Sequence, residues 1–181
     1  MSKGYYEIIK LSKLFDETWY KTQYLENNDD DSIKHFIDIG CEKNYNPSPN
    51  FDTSWYLEKN KDVKKNGINP FVHYIEYGRK EGRLPNSSFD ITKIDDYSAI
   101  LYSGLFDEEW FSDYYSLKGT QVNLVRYYME NYLHYGLNPS PDFDSMWYLE
   151  KYEDVKKNGI NPFVHYIKYG KKEGRKPKWN K

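Results

Sequence analysis

The chain has 181 residues and a formal net charge of −2, with 26 Lys and Arg set against 28 Asp and Glu. Acid and base are interspersed, so no single-sign field recommends nucleic acid or an anionic membrane as a partner. At 38% hydrophobic residues the chain can bury a core, and its 20 Tyr, 9 Phe and 5 Trp make that core aromatic-heavy.

A single cysteine, Cys41, cannot form an internal disulfide or a multi-cysteine metal site, and is expected to be a buried thiol in a reducing compartment. Apolar runs fall well short of the roughly 20 residues that span a bilayer. Residues 1–10 lack the hydrophobic region of a signal peptide. The expectation is a cytoplasmic protein without membrane insertion.

Taken in order, residues 1–13 carry Tyr5, Tyr6, Ile8, Ile9 and Leu11 at near-helical spacing, predicting a lead-in helix. Residues 95–107 echo it. Four Phe-Asp pairs then begin at Phe15, Phe51, Phe106 and Phe143, spaced 36 or 37 residues apart inside each half, a solenoid-sized period. In each, Asp is placed to cap a helix, with Phe just before it and Tyr20, Tyr56, Phe111 or Tyr148 at the fourth helical position, the hydrophobic-staple spacing. Trp19, Trp55, Trp110 and Trp147 hold the third position and are expected to be buried.

The second and fourth units share one phrase, DVKKNGINPFVHYI, from Asp62 and from Asp154. Asp62 is predicted to cap a single turn closed at Asn66-Gly67. Asn69-Pro70 then starts a short helix, since Asn can cap it and Pro lacks only an N–H without a helical partner. Phe71, Tyr74 and Ile75 share a face, and Gly78 is expected to be the left-handed residue that ends the helix. The first unit replaces the middle of the phrase with residues 27–31 and resumes at Ser32. The third carries a longer helical pattern from Asn123, with Asn131 read at the place of His35, His73 and His165.

Asn46-Pro47-Ser48-Pro49 and Asn138-Pro139-Ser140-Pro141 are read as stiff extended joints. The predicted architecture is all-α: four short helical repeat units of about 36 residues in two pseudo-equivalent halves, forming an elongated helical array. The halves are 1–86 and 95–181, separated by a linker at 87–94.

The phrases Phe-Asp-x-x-Trp-Tyr-Leu, Asp-Val-x-x-x-Gly-x-Asn-Pro-x-x-His-Tyr and Gly-x-x-Glu-Gly-Arg-x-Pro resemble repeats attached to bacterial and archaeal glycosyltransferases, including the rhamnan-synthesis type. The resemblance covers nearly the whole chain. It is fullest in the second and fourth units and partial in the first and third. It implies a non-catalytic accessory or scaffold protein in surface-polysaccharide synthesis, with a glycosyltransferase or another glycan-synthesis protein as partner. The alternatives are a carbohydrate-binding module and a fragment of a glycosyltransferase.

Asp29 to Asp31 and Asp142 to Asp144 spell the Asp-x-Asp string of many glycosyltransferase metal sites, but neither follows a buried strand and Asp144 is needed as a cap. No metal, cofactor or catalytic residue is assigned. His35, His73 and His165 recur once per unit, which suits a structural role, expected to be a bond to the backbone of an adjacent unit, better than a catalytic one. The loops GRKEGR from Gly78 and GKKEGR from Gly170 could cradle an anion, yet Glu81 and Glu173 favour Arg–Glu ties that hold the loop. Rings surplus to the repeat, Tyr77, Tyr114, Tyr115, Tyr169 and Trp179, form the candidate saccharide or partner surface.

Overall fold

Four helices begin with the same set of local bonds. Asp16, Asp52, Asp107 and Asp144 each accept a hydrogen bond through Oδ1 from the backbone N–H of the Trp three residues on, at 2.9–3.0 Å. The Phe before each Asp meets the aromatic ring five residues later at centroid distances of 5.0–5.1 Å. Each capping Asp also donates its own N–H to a proline carbonyl from a later loop: Pro47, Pro85, Pro139 and Pro177 respectively. A proline has no N–H to donate but keeps its acceptor, so these prolines clamp the loop to the helix start. Helices this short are marginal alone, and the cap, the staple and the clamp supply the missing support.

The computed structural model describes residues 2–26 and 30–179. It divides into two compact units, Met1–Phe89 and Asp90–Lys181. Among the described residues the fold is all-α, without a β-strand.

In the first unit, α1 (Ser2–Ser12) ends where Ser12 Oγ donates to Ile9 O and accepts from Leu14 N–H. It is followed by α2 (Glu17–Tyr24) and α3 (Ser32–His35), which runs into a π-helical turn at Phe36–Gly40. Then come α4 (Thr53–Lys59), α5 (Lys61–Lys65) and α6 (Pro70–His73), the last running into a second π turn at Tyr74–Gly78. Helix α1 packs on α3 and α6. Tyr20, Phe36, Tyr56 and Phe71 form a fully buried aromatic core.

In the second unit, α7 (Asp96–Ser103) packs on α9 (Leu124–Tyr135) and α12 (Pro162–His165), with α8 (Glu108–Tyr114), α10 (Ser145–Lys151) and α11 (Glu153–Lys157) completing it. Helix α12 runs into the π turn Tyr166–Gly170. Phe111, Tyr128, Tyr148 and Phe163 are its buried rings. Lys168 Nζ reaches back to Ile94 O and Asp96 Oδ1, both at 2.7 Å, tying the entry of α7 to this turn.

Several sequence expectations are corrected. Trp19, Trp55, Trp110 and Trp147 are half-buried rather than buried. The cap and staple turn the fourth helical residue onto the core, and the third lies about 100° round the helix from it. Asp62 does not cap α5; Asn60 occupies that position, and the Asp62 carboxylate pairs with Arg83 at 2.9 Å. Gly78 does not have positive φ; Gly82, at φ 77°, is the left-handed residue. The Asn-Pro-Ser-Pro joints are not simply extended, because Ser48 bridges to Phe51 and Ser140 to Phe143 to form turns. Cys41 is half-buried, with burial pushing its thiol up to about 11.

Candidate functional site

The recurring histidines face inward. His73 Nδ1 hydrogen-bonds the Tyr56 hydroxyl at 3.0 Å, His35 pairs with Tyr20 at 2.9 Å and His165 with Tyr148 at 3.1 Å. The partner is thus the tyrosine of the Asp-capped helix, α2, α4 or α10, not backbone of an adjacent unit as expected. Burial lowers the pKa of His73 and His165, which favours the neutral ring. The same hydroxyls explain the glycines that follow: a Cβ at Gly40, Gly78 or Gly170 would overlap the hydroxyl of Tyr20, Tyr56 or Tyr148.

Helix α9 is the exception that explains the rule. Its cap is Asn123, matching Asp31, Asn69 and Asn161 in capping through the side chain. The fourth residue after each cap is His35, His73 or His165, and in α9 it is Tyr127; Asn131 therefore does not occupy the histidine position. The ninth is Gly40, Gly78 or Gly170, and in α9 it is Tyr132. Tyr127 lies 6.5 Å from Phe111, the one staple ring of the four without a hydroxyl. Hydroxyl, histidine, glycine and π turn are lost together, and α9 continues as a regular helix.

The charged motifs are similarly occupied. Asp29 lies outside the described residues. Asp31 caps α3, Asp144 caps α10, and Asp142 pairs with Lys178 at 2.9 Å. In the two glycine-rich loops Arg83 bonds Glu81 and Asp62, and Arg175 bonds Glu173 and Asp154. Arg83 thereby ties its exit loop to α5, and Arg175 ties its own to α11. The Arg175 guanidinium holds the Asp154 carboxyl down at about 2. Among the described residues no group of three or more His, Cys, Asp or Glu is placed to hold a metal ion.

Three of the five surplus rings, Tyr114, Tyr115 and Trp179, converge in the second unit. A cleft of about 460 Å³ brings together Trp110, Tyr114, Tyr115, Tyr135 and Trp179. Helix α8 and its C-cap Tyr115 supply the first three, and Trp110 and Tyr114, four residues apart and so on one face, stack at 4.7 Å with 21° between planes. The Tyr115 hydroxyl accepts from Asn138 N–H at 2.8 Å, and desolvation raises its pKa. Gly136, at φ 64°, closes α9 and leaves Tyr135 on the cleft wall. The Asp144 N–H to Pro177 O bond, 3.1 Å, anchors the segment that delivers Lys178 and Trp179. Beside the cleft, a hollow of about 440 Å³ shares Trp110 and Tyr114 and adds Asp107, Glu109 and Asp113.

The exposure is unusual for rings. Tyr114 and Trp179 are each 67% exposed and Tyr135 is 61% exposed. Tyr77, in the first unit, and Tyr169 are exposed too, but they lie against His73 and His165 at 5.8 and 5.7 Å, and neither lines the cleft. The sequence reading missed Trp110 and Tyr135 as site residues. Trp110 looks like one more copy of a structural tryptophan, and Tyr135 sits in what reads as the last turn of an ordinary helix.

Comparisons with protein-family models, with curated proteins and with solved structures return no match to this chain.

Proposed function

We propose that the chain is a non-catalytic helical-repeat accessory of glycosyltransferases in surface-polysaccharide synthesis, and that its own contribution is to hold saccharide in the aromatic cleft of the second unit. Four stapled units in two related halves form its scaffold. Supporting this are the four equivalent cap, staple and clamp sets, and the resemblance of the repeat phrases to repeats attached to glycosyltransferases.

The observation that carries the binding role is the set of exposed rings Tyr114, Tyr135 and Trp179, with the half-buried Trp110, around one cleft. Exposed rings cost solvation and contribute little to a core, while a sugar's C–H face stacks on them and its hydroxyls reach flanking amides and carboxylates. Asn138 and Ser140 also line the cleft.

A broad glycan array probed with the labelled chain, backed by titration of tryptophan fluorescence, tests the binding role. Saturable binding is expected, weakened about tenfold or more by Tyr114→Ala or Trp179→Ala. Silence across the whole array would remove it. The accessory role is tested by affinity capture from the native host: recovery of glycan-synthesis enzymes is expected, and recovery of free chain alone contradicts it.

A further inference from the structure

The two units carry matched positions with different residues, which separates rings needed by the scaffold from rings needed by something else. The Asn46 N–H to Tyr24 hydroxyl bond of the first unit corresponds to Asn138 N–H to Tyr115 in the second. Thr53 N–H to Asn46 corresponds to Ser145 N–H to Asn138, and Asp52 N–H to Pro85 corresponds to Asp144 N–H to Pro177. Counting from these shared bonds, Tyr114, Tyr135 and Trp179 fall on Gln23, Lys43 and Ser87. All three first-unit residues are exposed and polar. The scaffold folds with either set, so the second unit's rings are not required by packing.

We propose that the ligand of this cleft is a neutral oligosaccharide of at least two sugar units, bound at one site per chain and selected by Tyr114, Tyr135 and Trp179. The inference rests on the saccharide-binding reading above and deepens it in length, charge and stoichiometry. Length follows from the cleft and the adjoining hollow sharing the stacked pair Trp110 and Tyr114, which gives ring surface on both sides of one wall. Neutrality follows from the charges facing that space. Asp107, Glu109, Asp113 and Asp144 line it; among the described lining residues the one ammonium is that of Lys178, already engaged by Asp142 and Pro141 O, and Lys118 beside the hollow is held by Asp113 at 3.0 Å. A uronate or phosphate would meet repulsion there without a free cation to compensate. One site per chain follows from the polar replacements in the first unit.

The test is calorimetric and fluorescence titration of the full chain with neutral hexose and deoxyhexose oligosaccharides of one to six units, and with galacturonate oligomers of the same lengths. The expected result is one equivalent bound, affinity rising about tenfold or more from one sugar to two, and galacturonate weaker by a similar factor at low salt. The triple variant Tyr114→Gln, Tyr135→Lys, Trp179→Ser installs residues that the matched positions already tolerate. It should keep its circular dichroism and thermal midpoint while losing binding. Galacturonate binding as tightly as neutral sugar, monosaccharides binding as tightly as oligomers, two equivalents per chain, or an unaffected triple variant would each overturn the inference while leaving saccharide binding in place. No response to any oligosaccharide would overturn both.

Discussion

Replacing Gly78 by Ala should destabilise the protein, although the same change in an ordinary helix stabilises it. Alanine gains about 0.5–1 kcal/mol over glycine in a helix interior. At position 78 the new methyl meets the Tyr56 hydroxyl, which is fully buried and hydrogen-bonded to His73. The Tyr56 ring cannot swing aside, because Phe51, Tyr74 and His73 surround it at 5.0–6.1 Å. Overpacking costs about 1–3 kcal/mol. If the hydroxyl is pushed off His73, an unpaired buried group adds about 1–3 kcal/mol. The net expectation is a loss of about 2–4 kcal/mol in Gly78→Ala.

Tyr56→Phe alone should cost about 1–3 kcal/mol for the lost hydrogen bond. In that background the overlap with the hydroxyl is gone, leaving Tyr74 Cδ2 at 3.3 Å as the nearest neighbour of the new methyl, and Gly78→Ala should become neutral or stabilising. Helix α9 already combines Phe111 with a large residue, Tyr132, at the equivalent place. The assay is urea unfolding of all four proteins as a double-mutant cycle, reading a coupling of about 2–5 kcal/mol, the difference between those two effects of Gly78→Ala. An additive cycle, or a Gly78→Ala protein as stable as the parent, would show that the hydroxyl does not enforce the glycine.

Three further outcomes are expected. Asp52→Ala should cost about 1 kcal/mol through loss of the cap on Trp55 N–H, with Asp52→Asn close to the parent; equal melting temperatures for all three would contradict it. Because burial depresses the pKa of His73 and His165, the unfolded chain binds more protons in mildly acid solution. Their stability contribution is therefore complete above the ordinary histidine value of about 6.5 and is lost as pH falls below it through the folded-state values. Stability measured by urea unfolding from pH 8 to 5 should decline for the parent and decline less for His73→Gln, His165→Gln. Finally, NMR titration of the Asp154 carboxyl should give a midpoint near 2, returning toward the usual carboxylate range in Arg175→Gln. An unmoved midpoint would mean that Arg175 is not its cause.

Much of the local structure is legible in the residues themselves. The Asp-x-x-Trp caps, the Phe staples, the Asn-Pro helix starts and the long helix after Asn123 all connect residues three to five positions apart. For such pairs helix geometry alone decides who meets whom. The all-α class follows from the same regularity. Counting four residues on from each capping residue also places Tyr127, rather than Asn131, at the histidine position.

What could not be read locally depends on how the helices pack. The approach of the Tyr56 hydroxyl to both His73 and Gly78 joins residues 17 and 22 positions apart, and its consequence is steric rather than conformational. Glycine looks the same in sequence whether it supplies positive φ or makes room for a neighbour. The half-exposure of Trp19, Trp55, Trp110 and Trp147 turns on which side of each helix the core lies. The cleft unites α8, the end of α9 and Trp179, and only the folded chain shows that rings matched by Gln23, Lys43 and Ser87 in one unit surround a common space in the other. Neighbours in sequence set the helices, while contacts across long stretches of chain set the site.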